Sequence, residues 1–155
     1  MAEPDLFTIN SHVLERYQGS GREVVVPEGV CAIGSEAFYD CATLTRIILP
    51  GSLRRIGKLA FAGCAALSTV KLPDGLVAIG RRAFSGCEAL VNLELPHSLI
   101  VLMRDAIRGC PQIDRVELPD GTTRIGLARF DYWRAFFRNG WDPFYDNGRD
   151  PFQVM

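Results

Sequence analysis

Histidine is nearly missing from this chain: 155 residues contain only His12 and His97, too far apart in sequence register to meet. That scarcity leaves no credible Ser-His-Asp or Cys-His set for nucleophilic catalysis. No two of the five cysteines form a C-x-x-C pair, so the usual zinc spacing is absent. No apolar run approaches the roughly 20 residues of a membrane-spanning helix. The opening "MAEPDLFTIN" has neither a basic start nor an apolar segment of the kind that directs export. A cytoplasmic location is therefore expected, with a secreted or cell-surface location as the alternative if a leader has been removed. Charge of either sign is also lacking in excess. A net charge of −1 gives no global attraction to nucleic acid or to anionic lipid, so neither a specific nucleic-acid partner nor membrane insertion is expected. The glycine-rich "GSG" at Gly19 to Gly21 precedes no helix and matches no phosphate loop. These absences together predict no catalytic residues, no cofactor and no metal.

What the chain has instead is repetition. Pro27, Pro50, Pro73, Pro96 and Pro119 stand 23 residues apart, and the spaces between them align column by column. One column reads Val30, Leu53, Leu76, Leu99; another Ile33, Ile56, Ile79, Leu102; a third Phe38, Phe61, Phe84, Ile107. Cysteine makes a column of its own: Cys41, Cys64, Cys87, Cys110. A period of this length with the strand signature "LTRIIL", "LSTVKL", "LVNLEL" lies in the leucine-rich-repeat range. Each unit cannot bury its apolar face alone, so stacked copies share a continuous core. In "AFAGCAAL", alanine permits close approach of two backbones, phenylalanine fills the interior, glycine permits a tight bend, and cysteine serves as a small buried hydrophobe. Five thiols without an evident pairing pattern fit a reducing compartment.

The units "LPGSLRRIGKLAFAGCAALSTVKL" and "LPDGLVAIGRRAFSGCEALVNLEL" resemble the BspA-type leucine-rich repeats, which join an L-P turn, an I-G pair, an A-F pair and a cysteine before the strand. The resemblance runs from about Val24 to Gly126. It implies a leucine-rich-repeat solenoid, mostly β, with one short strand plus turns or short 3-10 or helical segments per 23-residue repeat. It also implies binding rather than catalysis, because such arrays occur in bacterial surface adhesins, protozoan surface proteins and many uncharacterised bacterial proteins. The expected organisation is a single repeat domain: an N-terminal hairpin cap over 1–23, repeats over 24–126, and a C-terminal cap with an aromatic arm over 127–155. The array departs from its pattern at Met103, which replaces the glycine, and at Ile107, which replaces the ring. It ends where Arg129 and Trp133 replace the expected alanine and cysteine.

Alternation along the strand signature sends the apolar positions inward and the residues between them to a concave face. One exposed column is Ile48, Lys71, Glu94, Glu117 and its neighbour is Arg46, Thr69, Asn92, Arg115. Lys71, Asn92, Glu94 and Arg115 are thus candidate contacts for a protein partner. The opposite side carries Lys58, Arg81 and Arg104 in one column, with Arg55, Arg82 and Arg108 close in register. A solvated cationic rim and an anion-binding stripe both fit that pattern.

The C-terminal segment is the densest departure from the repeats. From Phe130 to Phe152 it holds nine of the fifteen aromatic residues. Leu127, Phe130, Trp133, Phe136 and Phe137 recur at helical spacing and predict an amphipathic capping helix. Trp141, Phe144, Tyr145 and Phe152 are then left over, as a candidate surface for a partner or for a second copy. Two functions follow: a non-enzymatic protein-interaction scaffold, or a self-associating structural or adhesive cell-surface unit that becomes a homo-oligomer through the C-terminal segment.

Overall fold

The computed structural model describes residues 6–91, 93–99, 101–102, 105–113, 115–117 and 123–125. The chain begins with a hairpin in which β1 (Phe7–Asn10) pairs antiparallel with β2 (Val13–Tyr17). Ser11 and His12 form its two-residue loop, both with positive φ, 50° and 66°, the combination whose twist suits the flanking strands. Beyond the hairpin the chain coils in turns that share one register.

Two parallel ladders run along the coil. β3 (Glu23–Val25), β5 (Arg46–Ile48) and β7 (Thr69–Lys71) form a three-stranded sheet. β4 (Ala32–Ile33), β6 (Arg55–Ile56), β8 (Ala78–Ile79) and β9 (Val101–Leu102) continue from the hairpin into a six-stranded sheet ordered β1-β2-β4-β6-β8-β9. A separate antiparallel pair joins β10 (Arg115–Glu117) to β11 (Thr123–Ile125). Pairs such as Val24↔Ile47 and Ile33↔Ile56 show that the sequence period is the register of both sheets. Each full turn therefore carries two strands where one was expected. The second is built on the Ile-Gly pair: the Gly57 N–H donates to the Ile33 carbonyl at 2.8 Å and the Gly80 N–H to Ile56 at 2.7 Å. Among the described residues there is no α-helix. The expected capping helix from Leu127 to Phe137 and the aromatic arm lie outside them.

The I-G glycine is required by close approach. A Cβ on Gly57 would stand 2.9 Å from the Ile33 carbonyl oxygen, and one on Gly80 2.8 Å from the Gly57 carbonyl carbon. The glycine before the cysteine is required by conformation, with φ of 77° at Gly63 and 73° at Gly86. Just ahead of the A-F pair, each turn also places a non-glycine residue at positive φ: Glu36, Leu59, Arg82 and Asp105. The twist is held by inter-turn bonds, as from the Leu59 N–H to the Arg81 carbonyl at 3.0 Å.

The core is a column of rings. Phe38, Phe61 and Phe84 are fully buried, with centroids 5.0 and 5.2 Å apart and planes inclined by 12° and 5°. Tyr17 extends the stack from the hairpin at 5.1 Å from Phe38, and Phe7 lies 5.4 Å beyond Tyr17. Near-parallel rings at this spacing are favourable when offset, adding to burial worth roughly 1.5–3 kcal/mol per large apolar side chain. Leu44, Leu53, Ile56, Leu67, Leu76, Ile79 and Leu90 fill the space around them. The Tyr17 hydroxyl accepts the Gly21 N–H at 3.1 Å, so the "GSG" stretch closes over the ring of Tyr17.

Candidate interaction surface

The sheet β3-β5-β7 presents a regular outer face because each strand alternates exposed, buried, exposed. Val24, Ile47 and Val70 point inward. Outward go two columns, Glu23-Arg46-Thr69 and Val25-Ile48-Lys71, paired across the ladder residue by residue. Glu23 and Arg46 approach to 4.0 Å with more than half of each side chain in solvent, a geometry that contributes little to stability. Beside them, Val25 is 59% and Ile48 38% exposed. The face thus starts apolar, turns cationic at Lys71 and acidic at Glu94, which is exposed.

Of the four residues expected on this face, Lys71 lies on β7 and Glu94 on the following turn, past the last strand of the three-stranded ladder. Arg115 lies on β10, in the separate two-stranded sheet, and Asn92 is outside the described residues. Trp141, Phe144, Tyr145 and Phe152 are also outside them. Sequence reasoning missed Val25. It sits in the run "VVVP", where three valines hide the in-out alternation that a polar neighbour would have revealed.

The cationic side is equally open. Lys58, Arg81, Arg82 and Arg108 are exposed and Arg55 is half-buried. Among the described residues the ion pair of Glu23 with Arg46 is the one formed, so none of these five cations is held by a described carboxylate. At the hairpin junction an open depression of about 610 Å³ is lined by Glu15, Arg16, Ser35, Glu36 and the half-exposed ring of Tyr39, among others. Its lining is mainly polar and carries both signs of charge.

The thiols divide by position. Cys64, Cys87 and Cys110 are buried, Cys41 is half-buried and Cys31 is exposed, and all five are unpaired. Each buried thiol donates to a phenylalanine carbonyl one turn back: Cys64 to Phe38 at 3.1 Å, Cys87 to Phe61 at 3.2 Å, Cys110 to Phe84 at 3.0 Å. The cysteine is therefore a spacer and also a rung between turns. Hydrogen bonding to a neighbouring thiol, Cys41 for Cys64 and Cys110 for Cys87, together with burial, pushes Cys64 and Cys87 well above the usual thiol range.

These features coincide with a known family. A family model for the BspA type leucine rich repeat region matches residues 8–135 in six copies. The chain belongs to the BspA-type leucine-rich repeat family. Among solved structures it is similar to a leucine-rich repeat protein of Treponema pallidum (T. pallidum; 31% identity, 78% of this chain and 72% of that one, TM-score 0.62). It is also similar to a leucine-rich repeat protein of Bacteroides ovatus (31% identity, 78% of this chain and 29% of that one, TM-score 0.62). The pneumococcal vaccine antigen PcpA shares 27% identity over 71% of this chain and 28% of its own, with a TM-score of 0.66. A comparison with curated proteins found no match. No enzymatic family is indicated, and no helix among the described residues is long and apolar enough to cross a membrane.

Proposed function

We propose that this chain is a non-enzymatic scaffold that binds a protein partner through the outer face of β3-β5-β7 and the turns that follow it. The observation that supports this reading is the exposed Val25-Ile48 pair on a parallel sheet, bordered by Glu23, Arg46, Lys71 and Glu94. An apolar centre with a charged rim suits protein recognition: the centre supplies desolvation and the rim sets orientation. Asn92 and Arg115 extend the same columns in the sequence register and are part of the proposed surface. The free thiols favour a reducing compartment, and cell fractionation tests that placement.

The aromatic density of the C-terminal segment supports a second reading, self-association of copies through Trp141, Phe144, Tyr145 and Phe152. In it, Leu127 to Phe137 caps the last turn while the residues beyond reach another chain. Multi-angle light scattering across a wide concentration range separates the two. One mass at every concentration supports a foreign partner and removes self-association. A mass that rises with concentration, and stops rising when the chain is truncated after Gly140, supports the second reading.

A further inference from the structure

The hairpin enters the stack out of step with the turns that follow it. Leu14 pairs with Ile33, and the ring of Tyr17 stacks on that of Phe38. Between these two anchors β2 supplies only Glu15 and Arg16, whereas the first turn supplies Gly34, Ser35, Glu36 and Ala37. Later turns match residue for residue and bond across this place, from the Glu36 N–H to the Lys58 carbonyl and from the Leu59 N–H to the Arg81 carbonyl, both at 3.0 Å. On the hairpin side the bonds flank the mismatch instead, Gly34 N–H to Leu14 at 2.7 Å and Tyr17 N–H to Ala37 at 2.9 Å. The open depression of about 610 Å³ lies here. The hairpin register slips at the same point: Ile9 faces Leu14 and Thr8 faces Arg16, which leaves Glu15 as the extra residue of a bulge. A bulge of this kind re-aims a side chain.

We propose that this depression binds a neutral, hydroxyl-rich ligand, a short oligosaccharide, at a place separate from the protein-binding face. Its polar groups are uncommitted. Among the described residues the exposed side chains of Arg16, Gln18 and Glu36 make no hydrogen bond or ion pair. Glu15 is held through one carboxylate oxygen by Asn10 at 2.8 Å, and its other oxygen can still accept. The Tyr39 carbonyl stands where the Ala62 and Ser85 carbonyls accept the Asp40 and Gly63 N–H groups, but among the described residues it accepts none. The charges decide the class of ligand. Two carboxylates disfavour an anion, the Arg16 guanidinium beside them disfavours a cation, and a polar lining disfavours an apolar guest. A hydroxyl satisfies all of these groups, because it donates to a carboxylate or carbonyl and accepts from a guanidinium or amide. The ring of Tyr39, 50% exposed, adds a flat apolar face against which the C–H groups of a sugar ring can lie. Later turns place Ala62, Ser85 and Arg108 at that position, so the column carries its ring at the depression alone. The volume falls within the roughly 300–1,000 Å³ of small-molecule sites.

The test titrates the isotope-labelled full chain with cellotriose, maltotriose and chitotriose, and with trilysine and triglutamate as charged comparators, while amide chemical shifts are followed by NMR. The expected result is saturable binding of at least one trisaccharide with a Kd of about 1 mM or tighter. The shifts should fall on Glu15, Arg16, Gln18, Glu36 and Tyr39, with Arg46 to Ile48 unmoved. Tyr39→Ala should weaken that binding about tenfold or more, whereas Tyr39→Phe, which keeps the ring, should hold it within about twofold. Absence of binding by all three sugars at about 10 mM, shifts centred on β3-β5-β7, tighter binding of either charged peptide than of every sugar, or equal affinity of wild type and Tyr39→Ala would each overturn the proposal. The shift map of the wild type decides the matter even if a variant fails to fold.

Discussion

Phe61 lies flat between Phe38 and Phe84 with no solvent exposure, so its removal opens a void that neither neighbour can fill without leaving its own stack. Phe61→Ala should cost about 3–5 kcal/mol in urea unfolding, and an unchanged midpoint would mean that the column is misread. Cys64→Ala removes a smaller group but also one inter-turn bond, and about 1–2 kcal/mol is expected. The Phe38 carbonyl keeps the Cys41 N–H as a donor at 3.3 Å, which limits that loss. The phenylalanine column was legible in the sequence because it keeps strict period. Tyr17 was not, since it stands 21 residues before Phe38 and falls off the 23-residue ruler. The thiol bonds were hidden for another reason: a buried cysteine reads as a hydrophobe whether or not its sulfur has an acceptor.

Each turn is held to the next by short backbone ladders, and these set what an element tolerates. Gly80→Ala should destabilise by roughly 1–3 kcal/mol, because the new Cβ meets backbone of the preceding turn rather than a side chain that can swing away; thermal melting reads this directly. The cationic side is expected to behave in the opposite way. Changing Lys58, Arg81 and Arg104 together to glutamine should leave stability within about 0.5 kcal/mol, since Lys58 and Arg81 are exposed and held by no described carboxylate, and solvated surface charges contribute little. A large loss would show that these side chains do more than face solvent. The three-stranded ladder was readable from its in-out alternation. The second strand of each turn was not, because two residues such as Arg55 and Ile56 are too few to show a period. A further regularity also went unread. Ser52 accepts the Gly29 N–H and donates to the Val30 carbonyl, and Ser98 does the same with Gly75 and Leu76. Gly29, Ser52, Gly75 and Ser98 occupy one position of successive turns, so glycine and serine alternate there and these bonds repeat every second turn.

At the scale of the molecule, a solenoid is nearly one-dimensional, and its ends decide whether the stack stays soluble. If Leu127 to Phe137 covers the last turn as proposed, truncation after Gly126 should aggregate, while truncation after Gly140 should keep a cooperative melt by circular dichroism. Equal damage from both would assign the whole aromatic segment to the cap and leave the sheet face as the binding surface. The repeats made the fold legible from one sequence because every turn restates the same rule. Function was less so, because the outer columns obey no rule but exposure: Val25, Ile48, Lys71 and Glu94 differ from turn to turn. That variation is where a partner would be specified, and it can be tested directly. Wild type and an Ile48→Glu/Lys71→Glu variant, matched for melting temperature, are used as baits in quantitative affinity capture from the native cell. The account predicts a protein retained by the wild type and reduced at least tenfold with the variant, a difference of about 1.4 kcal/mol in binding. Equal capture of the same protein by both baits would contradict it.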